Sequence, residues 1–296
     1  MSLSPPVKLD NIRGILFTVA GIFCMSTMDA VGKLLVEANY PVIQILAIRG
    51  SFIMPLLFFW MMTHGGVRTI KTRQYGGHCL RILLALAAPM LFFLSLKTLP
   101  LADATVIFFV SPFIMTALSV PLFREKVGLH RWGAIVIGFT GVLIVMRPTS
   151  DILESDAILV LGASLAYSGV MLSGRWLGRT ETTFTIVFYT VSGVTLLALL
   201  ICPFFWQPMT LKDVGLVAVM AILSLLGNLF MVKSFSIGEV GVITPFEYTG
   251  LLWAVLLGYF VFSDFPAANV WLGVAVIGCS GLYMVYRENL RRKSSI

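Results

Sequence analysis

Charged residues are scarce in this chain of 296 residues, because aspartate, glutamate, lysine and arginine together make up only 12% of it. A soluble domain carries about 25% charged residues and presents a polar surface to water. Here 58% of the residues are hydrophobic, and long apolar runs are separated by short polar breaks. These runs suit α-helices, which need about 20 apolar residues to cross a bilayer. They are too long for membrane β-strands, which alternate over about 10 residues. The sequence predicts an all-α membrane protein.

Catalytic and metal-binding motifs are also absent from the sequence. It contains only three histidines, His64, His78 and His130, and each falls in or beside a predicted loop. The four cysteines are scattered through apolar segments without the spacing of a metal site. No G-x-S-x-G, H-E-x-x-H or phosphate-binding motif occurs. We therefore expect no enzyme, no cofactor, no metal site and no ATP-driven pump.

Hydropathy, with Gly, Pro and charge clusters as breaks, divides the chain into ten predicted spans. A polar stretch from Pro148 to Asp156 leaves five spans on each side, so residues 1–148 and 149–296 form two halves. Five crossings is an odd number, and the halves should therefore have opposite orientations in the membrane. The predicted spans are 12–36, 41–63, 79–98, 102–123, 131–147, 156–178, 184–206, 213–235, 239–262 and 269–287.

The basic residues orient these spans. Most of the 21 lysines and arginines lie on the side of the N-terminus, and cytoplasmic loops carry such an excess. We therefore expect both termini to be cytoplasmic. Topology explains the net charge of +7, and a nucleic-acid partner is not needed to account for it. The basic residues expected on the opposite side are Lys33, Lys97, Arg147 and Lys212.

An internal repeat supports the division into halves. Residues Gly133–Arg147, GAIVIGFTGVLIVMR, recur 140 positions later as GVAVIGCSGLYMVYR, residues Gly273–Arg287. The glycines in this repeat are spaced for close helix contact, which predicts a scaffold or a subunit interface. An offset of nearly half the chain indicates a duplicated half rather than a short solenoid repeat.

Weaker matches extend the repeat. Gly32-Lys33 corresponds to Gly174-Arg175, and Arg49-Gly50 to Ser192-Gly193. The segment LPLADATVI before the fourth span parallels FSIGEVGVI before the ninth. After these spans, the tripeptide Phe-Arg-Glu at 123–125 parallels Phe-Ser-Asp at 262–264.

The segment Leu99–Pro148, with its second-half counterpart ending at Arg287, resembles the drug/metabolite transporter superfamily, specifically its EamA-type members with ten helices. Over its whole length the chain looks most like bacterial exporters of aromatic amino acids. The resemblance implies a secondary transporter of the bacterial inner membrane that exports a small metabolite by alternating access. A multidrug or hydrophobic metabolite exporter is the alternative, and a channel is less favoured. Transport could be coupled to protons or could be uniport.

Three ionisable groups fall inside predicted spans, where charge is costly and usually functional. Asp29 and Arg49 reach a similar depth in the first and second spans, so they either form an ion pair or contact substrate or a proton. Glu247 in the ninth span has no obvious basic partner. A buried, unpaired carboxyl group favours its neutral form, so Glu247 could bind a proton or a substrate ammonium, or be merely structural.

Prolines and polar aromatic residues supply further candidates. Pro89, Pro112 and Pro245 lie within spans and should bend them, either as hinges or only for packing. Met28, Phe108 and Phe109 also fall near mid-span, where core or lipid packing is the simpler explanation. Tyrosine and tryptophan side chains need partners for their polar groups, so Tyr167, Tyr248 and Trp253 are better cavity candidates. Asn228 also needs a partner, either in the cavity or through an interhelical hydrogen bond, which is the simpler explanation.

Overall fold

The computed structural model describes residues 11–64, 66–123, 129–146, 155–237 and 244–294, and within these ranges all regular structure is helical. Short 3₁₀ helices occur at Gly66–Ile70, Cys202–Phe205 and Thr244–Tyr248. The α-helices are α1 (Asn11–Glu37), α2 (Val42–Thr63), α3 (Tyr75–Ser95), α4 (Leu101–Phe108), α5 (Ser111–Phe123), α6 (Leu129–Met146), α7 (Ser155–Leu177), α8 (Thr183–Ile201), α9 (Leu211–Ile237), α10 (Thr249–Phe262) and α11 (Ala268–Ser294).

Seven of the described segments are long and apolar enough to cross a membrane. They comprise α1, α2, α3, the combined segment Leu101–Phe123, Asp156–Leu177, Thr183–Phe205 and Leu211–Ser234. Three shorter apolar helical segments accompany them, at Ile135–Val145, Phe246–Phe262 and Ala268–Tyr283. The prediction of an all-α, multi-pass membrane protein is thus confirmed.

Three predicted spans need correction. The fourth, predicted as one helix over 102–123, is divided into α4 and α5. The ninth, predicted over 239–262, begins in the described residues with the 3₁₀ helix Thr244–Tyr248, and residues 239–243 lie outside those described. The tenth continues from 287 to Ser294. The apolar run on which the predicted span was based ends where the charged residues begin. The helix continues beyond it because glutamate, leucine, arginine and lysine all favour helix.

Pro112 explains the division of the fourth span. A proline has no backbone N–H, so Pro112 cannot donate to the carbonyl of Phe108 four residues earlier. The Ser164 hydroxyl of α7 lies 3.4 Å from that carbonyl oxygen and 2.9 Å from the Val160 carbonyl oxygen of its own helix, and the Ser168 hydroxyl lies 3.1 Å from the Ser111 carbonyl oxygen and 2.7 Å from that of Ser164. Each hydroxyl has a single proton to donate, so the carbonyls at the break share these two donors with α7.

The most extensive helix contacts join one half of the chain to the other. They pair α1 with α9, α3 with α7, α6 with α11 and α2 with α8, and a smaller contact between α4 and α10 also joins the halves. Side chains such as Ile45, Leu96 and Phe113 are completely enclosed between these helices. The two halves are therefore interleaved, and space between them is bordered by residues from both.

The described part of the first repeated segment, residues 133–146, meets the second segment, Gly273–Arg287, in the α6–α11 contact. A Cβ atom placed on Gly273 would lie 2.1 Å from Val145 Cγ2 and 3.1 Å from the Gly141 carbonyl oxygen. Only glycine permits this approach of the two backbones. Gly133 and Gly278 border open space instead. The predicted close helix contact thus involves two of the repeated glycines and not these other two.

Candidate functional site

A cavity of about 380 Å³ lies among α1, α2, α3, the α4–α5 break, α7, α9 and the 3₁₀ helix Thr244–Tyr248. Its wall is mostly apolar, with a few polar groups, which is the usual composition of a small-molecule site. Both halves of the chain contribute to it. We use "the cavity" for this space throughout.

Three ionisable side chains face the cavity: Asp29 from α1, Arg49 from α2 and Glu247 from the 3₁₀ helix. Asp29 and Arg49 are close enough to attract each other electrostatically. No direct salt bridge within 4.0 Å joins them, since the ion pairs between described residues are those of Lys33. Arg49 Nη1 donates only a weak hydrogen bond, to Met28 Sδ at 3.7 Å. The predicted Asp29–Arg49 ion pair is therefore an electrostatic attraction between two residues that border the cavity rather than a direct salt bridge.

Glu247 is even less compensated. Among the described residues its carboxylate has no hydrogen-bond or ion-pair partner, although Tyr167 lies close enough to feel its charge. The cavity thus holds two carboxyl groups and one guanidinium. When all three are ionised the wall carries a net negative charge, which attracts a positively charged group or a proton.

Aromatic rings form a second part of the wall. Phe92 of α3 and Phe108 of α4 meet edge to face with centroids 5.3 Å apart, and Phe108 lies 5.3 Å from Tyr167 of α7. Phe93 and Phe109 border the same space. Rings in these arrangements pack favourably against one another and against an added aromatic group. The methionines Met25, Met28 and Met115 add a soft, polarisable surface.

Seven of the ten predicted candidates line the cavity. They are Asp29, Arg49, Pro89, Pro112, Tyr167, Asn228 and Glu247. The Asn228 amide donates to the Ser224 carbonyl of its own helix at 2.8 Å, so it is not the interhelical bond considered from the sequence. The backbone of Pro245 belongs to the 3₁₀ helix before α10, and its side chain lies outside the described residues.

Tyr248 and Trp253 are not among the described residues that line the cavity, and a role for them in transport stays a prediction. The Tyr248 hydroxyl occupies the space over Gly281 of α11, where a Cβ atom would overlap it. Trp253 packs edge to face on the half-exposed Phe23, with centroids 4.9 Å apart. Its indole nitrogen is buried without a partner among the described residues, so polarity did not predict placement.

Sequence reasoning undervalued the phenylalanines and missed Ser26, Phe92 and Met115. A signal for them existed in the spacing of helical faces. In α1, Ser26 lies three residues before Asp29, and Met115 lies three residues after Pro112. Residues three or four apart share one face of a helix. Extending the face of each predicted candidate would have found these residues.

Comparisons with known proteins place the chain in a family. Residues 12–147 and 155–287 each match the profile of the EamA-like transporter family. The chain is 24% identical over 290 residues to a riboflavin transporter of Vibrio cholerae, with 97% of each protein covered. It is 28% identical over 282 residues to the pseudopaline exporter CntI of Pseudomonas aeruginosa, covering 93% of this chain and 97% of that one.

Two further comparisons agree. An S-adenosylmethionine uptake transporter of Rickettsia conorii is 23% identical over 237 residues, covering 80% of this chain and 81% of that one. A crystal structure matches at a TM-score of 0.64 and 14% identity, covering 96% of this chain and 99% of the other, which supports the fold alone. Because the family profile matches both halves and leaves little of the chain uncovered, the chain belongs to the EamA-like transporter family, a membrane transporter family of the drug/metabolite transporter superfamily.

Proposed function

We propose that this transporter exports a small zwitterionic metabolite with an aromatic ring, with aromatic amino acids as the first candidates. One observation carries the proposal. Asp29 and Arg49 face the same cavity without a direct salt bridge, beside a wall of aromatic rings. A zwitterion between them would compensate both charges at once.

The chemistry of each group supports this assignment. A guanidinium binds a carboxylate through two parallel hydrogen bonds, so Arg49 is suited to the acid end of an amino acid. Asp29 or Glu247 can accept the ammonium group, and the phenylalanines can pack against the ring. A purely hydrophobic drug would leave the cavity charges unpaired, which is costly away from water. This argues against the multidrug alternative.

The size of the cavity fits a single small molecule. Its volume of about 380 Å³ lies at the lower end of the roughly 300–1,000 Å³ typical of ligand pockets. The three named relatives carry riboflavin, S-adenosylmethionine and pseudopaline, and none is named for aromatic amino acids. Riboflavin and S-adenosylmethionine each contain an aromatic ring system. These two molecules are therefore the competing substrates to test.

Several observations support two inverted five-helix halves, 1–148 and 149–296, working by alternating access. The seven long and three shorter apolar segments follow the order of the ten predicted spans. If each helix is replaced by its equivalent in the other half, the α1–α9 contact becomes the α7–α3 contact. The contacts α2–α8, α4–α10 and α6–α11 each remain the same pair. Inverted repeats of this kind can open a central site to either side in turn. Pro112 at the α4–α5 break and Pro245 before α10 lie in corresponding spans and would act as hinges.

We place both termini in the cytoplasm of a bacterial inner-membrane protein, on the distribution of basic residues. Export is supported by the exporter relative, although the S-adenosylmethionine relatives are uptake transporters. Glu247 is the proposed proton carrier. Asp29 is the second candidate for that role.

The test is uptake of labelled phenylalanine and tryptophan into proteoliposomes, with and without a pH gradient. Saturable uptake that unlabelled riboflavin and S-adenosylmethionine compete with only weakly is expected. Arg49→Gln should lower it about 10- to 100-fold, as expected for lost hydrogen bonds to a charged group, and the matched control Trp253→Phe, outside the cavity, should not. Absence of saturable uptake for every amino acid would refute the substrate assignment. Unitary currents in a bilayer recording would refute the transporter mechanism itself.

A further inference from the structure

Two basic residues that are equivalent in the internal repeat lie against equivalent aromatic rings. Lys33 Nζ of α1 is 4.4 Å from the centroid of the Phe262 ring, at the end of α10. Arg175 Cζ of α7 is 4.7 Å from the centroid of the Phe123 ring, at the end of α5. Both distances are within the range of a cation–π attraction. The internal repeat thus places the same kind of cation–ring contact in both halves of the chain.

The two contacts lie at opposite ends of the helix bundle. Lys33 is near the end of α1, where α2 begins. Arg175 is near the end of α7, just before α8 begins. The start of α8 contacts the segment that follows α2, because the Thr185 hydroxyl donates to the Thr69 carbonyl at 2.8 Å. Arg175 is therefore at the end of the bundle where α2 finishes, and Lys33 is at the end where α2 begins. Each contact joins one half of the chain to the other, and the cavity residue Asp29 lies on α1 one turn before Lys33.

The contact at Lys33 is strengthened by charge. The lysine is only 3% exposed, and its ammonium donates to Asp264 Oδ2 at 2.8 Å, with Glu37 Oε1 at 3.6 Å. Ser263 has φ = 59°, and this left-handed turn ends α10 just before Asp264. A buried cation that loses its partner is strongly disfavoured. When α1 separates from α10, the Lys33 ammonium group must therefore become hydrated.

The contact at Arg175 uses a second cation. Arg179 Cζ lies 5.4 Å from the centroid of the same Phe123 ring, so two guanidinium groups approach one aromatic side chain. We call Lys33, Phe262 and Asp264 the first latch, and Phe123, Arg175 and Arg179 the second latch.

We propose that the two latches are the gates of the transporter, each holding the two halves together at one end of the cavity and opening in turn. This inference rests on the proposed alternating-access function. It assigns gating to the cation–ring contacts at the ends of α1 and α7, whereas the prolines are the hinges about which the helices move. A latch opens when its basic residue leaves the ring of the other half, which gives that side access to the cavity.

The test is the accessibility of a cavity cysteine. Ser26→Cys is introduced after the native cysteines are replaced by serine, and it is labelled with a membrane-impermeant maleimide in intact cells and in inverted vesicles. Lys33→Met should raise labelling about tenfold from the side where α1 ends, as loss of a cation–π contact allows, and lower it from the other side. Phe123→Leu should do the reverse. The conservative variant Lys33→Arg keeps both the charge and the ring contact and should label like the parent.

Phe262→Leu removes only the ring of the first latch, so it carries the same expectation if Lys33→Met does not fold. Equal changes on both sides, or unchanged labelling in all latch variants, would overturn the proposal. Labelling needs no substrate, which separates this test from the substrate assignment. If the two latch variants change labelling on opposite sides but amino acids are not transported, the gating proposal holds and the substrate assignment fails. If amino acids are transported but labelling is unchanged in the latch variants, the gating proposal fails.

Discussion

The α6–α11 contact and the cavity differ in how well the two halves match. The contact is built from the best-matched segments, Gly133–Arg147 and Gly273–Arg287, and Gly141 and Gly273 bring the two backbones together. The cavity uses residues without a chemical equivalent. Arg49 corresponds in the repeat to Ser192, whose hydroxyl is near Met54 Sδ at 3.3 Å. Repetition thus maintains the helix frame, and divergence supplies the binding groups.

The largest expected effect is a fall in transport when the Arg49 guanidinium is removed, a group for which the second half has only Ser192. Arg49→Gln should lower kcat/KM for amino-acid transport about 10- to 100-fold, as expected for lost hydrogen bonds to a charged group. Fluorescence-detected size exclusion should show a folded protein. Lys97→Gln, which removes an exposed basic residue, is the control and should transport normally. Normal transport by Arg49→Gln would place substrate recognition elsewhere.

The next effect tests the repeated contact through stability rather than flux. Gly273→Leu should lower the free energy of unfolding by about 1–3 kcal/mol, because the new side chain meets Val145 and overpacks the interface. Thermal unfolding in detergent measures it. Gly278→Leu is the matched control, since open space surrounds that glycine, and should be nearly neutral. Equal stability of the two variants would show that the α6–α11 approach is not structurally important.

A smaller effect concerns the unpaired carboxylate of the cavity. Glu247→Gln is always neutral, so it should flatten the pH dependence of transport if Glu247 carries the proton. Asp29, Arg49 and Tyr167 also border the cavity, so Asp29→Asn is measured beside it. An unchanged pH profile in Glu247→Gln with a flattened one in Asp29→Asn would assign the proton to Asp29. Unchanged profiles in both variants would remove proton coupling through either residue.

The smallest effect is expected at Trp253. Trp253→Phe keeps an aromatic ring against Phe23 and removes an indole N–H that has no partner among the described residues. Transport should stay within about twofold of wild type, and the free energy of unfolding should fall by no more than the roughly 1 kcal/mol at which point substitutions are centred. A large fall in transport would show that Trp253 belongs to the binding site, although it does not line the cavity.

The sequence predicted the frame better than the site. Hydropathy and the repeat predicted the apolar segments, and Pro112 marked the break in the fourth span, because these features depend on local chemistry. Tyr248 and Trp253 do not line the cavity, because the direction of a side chain depends on neighbouring helices. Only the packing against Gly281 and Phe23 determines where those rings lie. Lys33, predicted only to lie on the side opposite the N-terminus, is buried and donates to Asp264 of the other half, a contact that hydropathy cannot predict.

The central claim is that the cavity charges recognise both ends of a zwitterion. The most direct measurement is inhibition of labelled phenylalanine transport in proteoliposomes by phenylalanine, phenethylamine and 3-phenylpropanoate. The last two lack the carboxylate and the ammonium respectively. We expect each to inhibit at least about tenfold more weakly than phenylalanine, since each leaves a cavity charge uncompensated. Equal inhibition by all three compounds would contradict the account, because the aromatic ring alone would then determine recognition.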